Sequence, residues 1–245
     1  MEHRLTRIPG LKVSRGTFAR RLRRPREAST IRITVLSPAR VRKLLEPFGL
    51  DLSSGQVDQV LAYLDLLERW NQKINLTAIR DPEACVRRHF GESLYLARHT
   101  TLRGSLLDIG AGAGFPGLAL KIAFPELAVT LLEPVAKKRA FLKEAARVAG
   151  LGQVETRPER LEELVRASPA PAFDSATSRA VGNLPKLVPL AAQCLKPGGS
   201  LFLWLARDQA ETLLATSGQF TWSKPLPIPL SRTGEIWQGT KIPIG

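Results

Sequence analysis

Three glycines at alternate positions, Gly110, Gly112 and Gly114, follow Asp108 in the stretch Leu106-Leu-Asp-Ile-Gly-Ala-Gly-Ala-Gly-Phe-Pro-Gly117. Glycine permits positive φ and lets a ligand approach the backbone closely. The stretch therefore has the makings of a cradle for a nucleotide-type cofactor. A dinucleotide-binding loop would read G-x-G-x-x-G, with a pyrophosphate on the following helix N-terminus. Here one residue separates Gly112 from Gly114, and Phe115-Pro116 stands before Gly117. A carboxylate at 108 can accept from an ammonium, as on S-adenosylmethionine, and would repel a phosphate. The loop favours S-adenosylmethionine over a nicotinamide cofactor, which stays open as the alternative.

Other residues fall where such a cofactor needs them. Glu133 ends the run Val129-Thr-Leu-Leu-Glu133, and an acid there can accept from ribose hydroxyls. Lys137, Lys138 and Arg139 follow it, either as a solvated helix face or as an RNA patch. Arg160-Leu161-Glu162 comes after the next strand-like run, where Leu161 can flank an adenine; an ordinary helix start reads the same way. Ser178 and Arg179 close a fourth run, at the sheet edge where ligands bind in open α/β folds. The Asn/Asp-Pro-Pro-aromatic motif that holds an exocyclic amine is missing there. An arginine in its place can bond guanine O6 and N7 or a phosphate, or make a structural salt bridge. His89 reads as a packing residue on a helix.

These residues need a scaffold, and the hydrophobic pattern supplies one. Ser37-Pro38 is a helix start, with Val41, Leu44 and Leu45 on one face and Gly49 as the stop. Ser53 or Ser54 caps a longer helix carrying Val57, Val60, Leu61, Leu64, Leu67 and Trp70 at three- and four-residue steps. Asp81-Pro82-Glu83 opens a third, with Val86, Phe90, Leu94 and Leu96 as its apolar set. Residues 37–100 form a small helical cap on this reading, and residues 101–245 form the sheet domain. In the latter, strands at 105–109, 128–132, 153–157, 175–178 and 200–205 alternate with helices at 117–124, 136–149, 159–167 and 184–194. Such alternation implies a mostly parallel, Rossmann-like sheet with helices on both faces. A closing hairpin is expected at 225–230 and 235–242.

The 245 residues carry a net charge of +14. Residues 1–36 hold ten Arg or Lys against Glu2 and Glu27, or +8, and the remaining +6 belongs to the globular part. That surplus suits a polyanionic partner. Residues 1–36 read as a disordered basic tail: an RNA-binding arm, a transit peptide, or an upstream start without a role. Cys85 and Cys194 lack metal-ligand spacing, so no metal is expected, and a reducing cytoplasm is the default. No apolar run approaches the roughly 18–20 residues that span a bilayer. A monomer is expected.

Taken together, Trp70-Asn71, Asn75-Leu76-Thr77, Arg80-Asp81, Arg88-His89-Phe90, Glu92-Ser93-Leu94, the loop 108–117, Lys138-Arg139, Phe141-Leu142, Ser178-Arg179-Ala180 and Lys196-Pro-Gly-Gly199 resemble the bacterial glucose-inhibited division protein B family over about residues 37–205. The resemblance implies a class I S-adenosylmethionine-dependent methyltransferase that modifies N7 of a guanine in small-subunit (16S) ribosomal RNA, free or in a ribosomal particle. It implies cofactor contacts at Gly110, Phe115, Glu133, Leu161, Glu162 and Arg179, with His89 and Arg88 near the catalytic face. Phe115 or Phe90 is available to support an extruded base. Two features depart from the family pattern. Leu205-Ala206-Arg207 replaces the usual Lys-Gly pair, so Arg207 inherits any RNA contact. The C-terminal segment lacks the usual final apolar strand, which leaves the closing strand pair in question. A small-molecule methyltransferase and a non-catalytic RNA-binding module on a methyltransferase fold are the competing readings.

Overall fold

The computed structural model of the chain describes residues 36–167, 170, 172–179, 182–216 and 218–243. The basic tail expected over 1–36 lies, apart from Leu36, outside them, as do Ala180 and Val181.

Ser37 starts helix α1, Pro38–Leu45, its hydroxyl accepting from the Arg40 N–H, and Gly49 at φ +64° turns the chain away. Helix α2, Ser54–Asn71, opens with a reciprocal cap in which Ser53 and Gln56 each bond the other's backbone N–H. Such a cap satisfies two of the orphan donors at a helix start. Val57, Val60, Tyr63, Leu64 and Leu67 form its buried stripe. A composite helical stretch follows: α3, Pro82–Cys85, capped by Asp81; a π-helical turn, Val86–Gly91; and a short α4, Glu92–Leu94. Gly91 is required where Phe48 crosses, because a Cβ would sit 2.7 Å from the ring's Cζ.

The strands are β1 Ser105–Ile109, β2 Ala128–Leu132, β3 Val154–Arg157, β4 Phe173–Arg179, β5 Leu195–Ala206, β6 Phe220–Trp222, β7 Leu226–Pro227 and β8 Gly234–Lys241. They form one sheet in the order β3-β2-β1-β4-β5-β8-β6, with β7 also on β8. Strands β1 to β5 are parallel and β8 runs antiparallel to β5. Helices α5 Gly117–Ala123, α6 Ala136–Val148, α7 Leu161–Ala167, α8 Leu184–Cys194 and α9 Ala210–Ala215 complete the chain. One core joins the cap to α5, α6 and one face of the sheet; the second lies under α7, α8 and α9 on the other face. Alternation in β5 serves both: Phe202 and Trp204 enter the first, Leu201, Leu203 and Leu205 the second. Each such side chain is worth roughly 1.5–3 kcal/mol of burial.

The closing hairpin expected at 225–230 and 235–242 is present as β7 and β8, and the question raised by the departure from the family pattern is answered. The closing strand pair is formed: β8 pairs seven residues of β5, from Ser200↔Thr240 to Ala206↔Gly234, and β6 and β7 both pair with it. Its buried residues Glu235, Ile236, Trp237 and Lys241 include two charged ones, which blur the apolar signature. Glu235 pairs with Arg207, and the Lys241 ammonium donates to the Leu195 carbonyl. The fourth and fifth strands are also longer than expected. Lys196-Pro-Gly-Gly199 is an irregularity between β4 and β5, with Gly198 at φ +74°, and pairing resumes at Ser175↔Ser200.

Candidate active site

All five parallel strands end at one edge, and the cavity sits there. It measures about 430 Å³, within the range of small-ligand pockets. Its walls come from the strand ends in spatial order. Leu161 and Glu162 follow β3, Leu132 and Pro134 flank the end of β2, Ile109 and Gly110 end β1, and Ser178 and Arg179 end β4. Asn183, Lys186, Leu187 and Leu190 of the α8 segment close the side.

The glycines divide by role. Gly110 and Gly112 have φ of +73° and +57°, and a Cβ on either would enter essentially open space. They form the open cradle. Gly114, at φ +84°, is instead blocked by the Tyr63 hydroxyl and by Leu118, whose Cδ1 lies 2.8 Å from the Cβ position. Its missing side chain makes room for the cap, a packing reason for this glycine beside any contact of its backbone with the cofactor. Tyr63 donates its hydroxyl to the Ala113 carbonyl, so α2 ties down the loop from behind.

The expectation for Asp108 is corrected. Its carboxylate is buried, accepting from the Gly117 N–H and the Thr177 hydroxyl, both at 3.0 Å. Burial pushes its pKa up to about 7, against the pull of those two donors. It therefore pins the start of α5 to β4 and does not face the cavity. Glu133 is also buried, between the lining residues Leu132 and Pro134, and holds the glycine loop. It accepts from the Gly112 and Val135 N–H groups at 3.0 and 2.9 Å through separate oxygens. A carboxylate has about four acceptor positions, so two remain.

Phe115 does not offer its ring. The ring lies between Tyr63, 5.2 Å away and 2° from parallel, and His89, 4.9 Å away and 18° from parallel. Phe90 meets it edge-on at 5.0 Å and is itself fully buried. Neither aromatic is free to stack on a base, and any cofactor contact at Phe115 falls to its backbone. His89 is a packing residue, its Nε2 2.7 Å from the Thr77 hydroxyl. Burial, with Arg179 and Arg88 nearby, pushes its pKa down to about 3 and holds the ring neutral.

Around Arg179 the structure assembles a charged cluster. The guanidinium Nη2 donates to the Glu92 carboxylate at 3.0 Å and to the Arg88 carbonyl at 2.8 Å, while Nη1 is buried without a protein partner. Desolvation lowers its pKa, opposed by Glu92. Arg88 pairs with the other Glu92 oxygen at 2.7 Å, its own side chain 60% exposed. Glu92 carries no assignment from sequence alone, although an acid four residues after Arg88 on a helix is a recognisable pair. Ser178 donates to the Ile109 carbonyl at 2.9 Å and lines the cavity.

The basic candidates also separate. Arg139 donates its Nη1 to the carbonyls of Glu133 and Pro134 and so caps the end of β2, which leaves less of it for RNA. Lys137 is exposed and Lys138 half-buried on α6. Arg207 is largely exposed while its Nε holds Glu235 at 2.9 Å. Glu162 pairs with Lys186 across the cavity, which lowers its pKa.

The fit to S-adenosylmethionine rests on the open cradle at Gly110 and Gly112 and on the unpartnered Arg179 Nη1. Comparison with known proteins agrees. In solved structures, the fibrillarin/Nop5p complex shares the fold at a TM-score of 0.52 and 17% identity, over 61% of this chain and 79% of that one. The ribosomal protein L11 methylase of Lactobacillus delbrueckii subsp. bulgaricus does so at 0.52 and 15%, over 64% and 79%. The ribosomal RNA small subunit methyltransferase G of Chloroflexus aggregans is 41% identical over 204 residues, covering 80% of this chain and 86% of that protein. That of Acetivibrio thermocellus is 39% identical over 166 residues, covering 65% and 69%. The family model described as GidB, rRNA small subunit methyltransferase G, matches residues 56–231. With that match, and with a relative 41% identical over four-fifths of its length, the chain belongs to the GidB family of rRNA small subunit methyltransferases.

Proposed function

We propose that the protein transfers a methyl group from S-adenosylmethionine to N7 of a guanine in small-subunit ribosomal RNA. The observation that carries the reading is the row of groups along the carboxyl edge of the sheet. Of the lining residues, Leu161 after β3 suits an adenine, and Gly110 after β1 with Arg179 after β4 suits an amino-acid end; Glu133, buried between Leu132 and Pro134 at the end of β2, is the acid nearest in sequence for ribose hydroxyls.

When bound, the cofactor supplies an electrophilic methyl: the guanine N7 lone pair forms the new N–C bond as the S–C bond breaks, and its electron pair stays on sulfur. No proton leaves N7, so no general base is required. The cavity agrees, because its carboxylates are engaged. Glu159 pairs with Arg157 at 2.7 Å and Glu162 pairs with Lys186. His89 is neutral and stacked. The residues therefore act by holding the reactants in line, a contribution worth up to several kcal/mol. Leu132, Leu161 and Leu190 give the cavity an apolar wall. Ser178, through the Ile109 carbonyl, fixes the ends of β1 and β4 against each other.

For the RNA, Lys137 and Lys138 on α6, Arg88 at the cluster and Arg207 after β5 supply cationic contacts. The same reading gives a monomer in the cytoplasm acting on RNA or an assembling particle. Methyl transfer from labelled S-adenosylmethionine to small-subunit rRNA, mapped by mass to 7-methylguanine, is the direct test. Arg179→Ala is expected to lower kcat/KM at least 100-fold. Methylation that appears at another atom, or that survives Arg179→Ala unchanged, refutes the assignment.

A further inference from the structure

Glu92 is the least exposed member of the charged cluster, with its side chain 8% exposed, and it belongs to the cap, not to the sheet. Its backbone is fixed independently: the Trp204 indole N–H of β5 donates to the Glu92 carbonyl at 2.9 Å. The jammed Gly91–Phe48 contact fixes the residue before it. Its two carboxylate oxygens are divided between two arginines, Oε1 on Arg88 Nε and Oε2 on Arg179 Nη2. The cluster thus holds two cations and one anion. One positive charge is left over. Among the described residues His89 Nδ1 and Ser93 Oγ are also buried without a partner, but Arg179 Nη1 is the charged donor in that state, and Arg179 lines the cavity while His89 and Ser93 do not. A desolvated guanidinium N–H in that state calls for an oxyanion.

We propose that Glu92 is a positioning residue for cofactor binding. By gripping Nη2 of Arg179 it presents Nη1 to the α-carboxylate of the cofactor's amino-acid end. The strand order supports that source of the oxyanion. With the adenosine end over β3 and β2, the amino-acid end falls over β1 and β4, where Arg179 stands. The inference rests on the cofactor reading above and deepens it.

Calorimetry with two ligands on the full chain tests it. S-adenosylhomocysteine carries the carboxylate; 5′-methylthioadenosine has the same nucleoside thioether without the amino-acid end. Glu92→Gln keeps the shape and removes the charge; it is expected to weaken S-adenosylhomocysteine at least tenfold and to leave methylthioadenosine within about twofold. Glu92→Asp is expected to recover part of the loss. Thermal unfolding of the unliganded variants, run alongside, shows that they are folded at the titration temperature. Equal weakening of both ligands would mean that Glu92 only supports the fold, and overturns the proposal. So does a Glu92→Gln variant that binds S-adenosylhomocysteine normally but loses RNA, since Arg179 would then serve a phosphate. If wild-type protein binds neither ligand, the cofactor reading itself fails and takes the proposal with it.

Discussion

At the scale of single residues, the alternate glycines separate ligand access from packing. Gly110→Ala places its methyl in open space at φ +73°, so its stability cost is backbone strain of about 1–2 kcal/mol. Its larger effect falls on cofactor affinity, because the methyl enters the cradle. Gly114→Ala adds a clash with Tyr63 and Leu118 to similar strain, and roughly 3 kcal/mol or more of stability is expected to go. Denaturant unfolding and S-adenosylhomocysteine titration of the two variants check the division. Equal stability losses, or full binding by Gly110→Ala, would contradict it. From the sequence these glycines look alike, as Asp108 looks like a ligand. What distinguishes them are partners 51 and 69 positions away, Tyr63 for Gly114 and Thr177 for Asp108. Local spacing carries no record of such partners.

At the scale of elements, Asp108 shows how a buried acid joins a helix to two strands. Its folded pKa of about 7 lies above its ordinary 3.8. The stability it contributes is therefore full below about pH 4 and is lost as pH rises through about 7. Asp108→Asn can keep an acceptor for the Gly117 N–H and removes the titration. Relative to wild type, the variant's Tm is expected to be higher at pH 8 than at pH 5. Tm differences that do not change between the two pH values would exclude the effect. The depressed pKa of His89 weakens both proteins below about pH 6.5 and cancels in the difference. Strands β1 and β2 match residue for residue because each is a short, largely buried run bounded by turn residues; β3, with no fully buried residue, is legible from its place in the alternation of strands and helices. Strand β6 and helix α9 are not legible. Phe220-Thr-Trp222 is too short to show alternation, and α9 has only Leu213 buried. The π-helical turn Val86–Gly91 escapes any reading based on a 3.6-residue period.

At the scale of the whole molecule, charge and fold act on different steps. The surplus of +6 over residues 37–245 sets non-specific attraction to RNA, while Arg139 is spent on carbonyls. Lys137→Ala is expected to leave Tm unchanged and to flatten the plot of log affinity for rRNA against log salt by about one unit of slope. Arg139→Ala is expected to lower Tm, with a smaller change in slope. Binding measured at several salt concentrations decides between them; the reverse pattern would move the RNA face away from α6. A final consequence follows from the ring of Phe115, held between Tyr63 of the cap and His89 of the same cap. The helical segment cannot serve as an exchangeable cassette. A hybrid spliced near residue 100 from two relatives must inherit Tyr63, His89 and Phe115 as a matched trio, or the new junction will unseat the glycine loop.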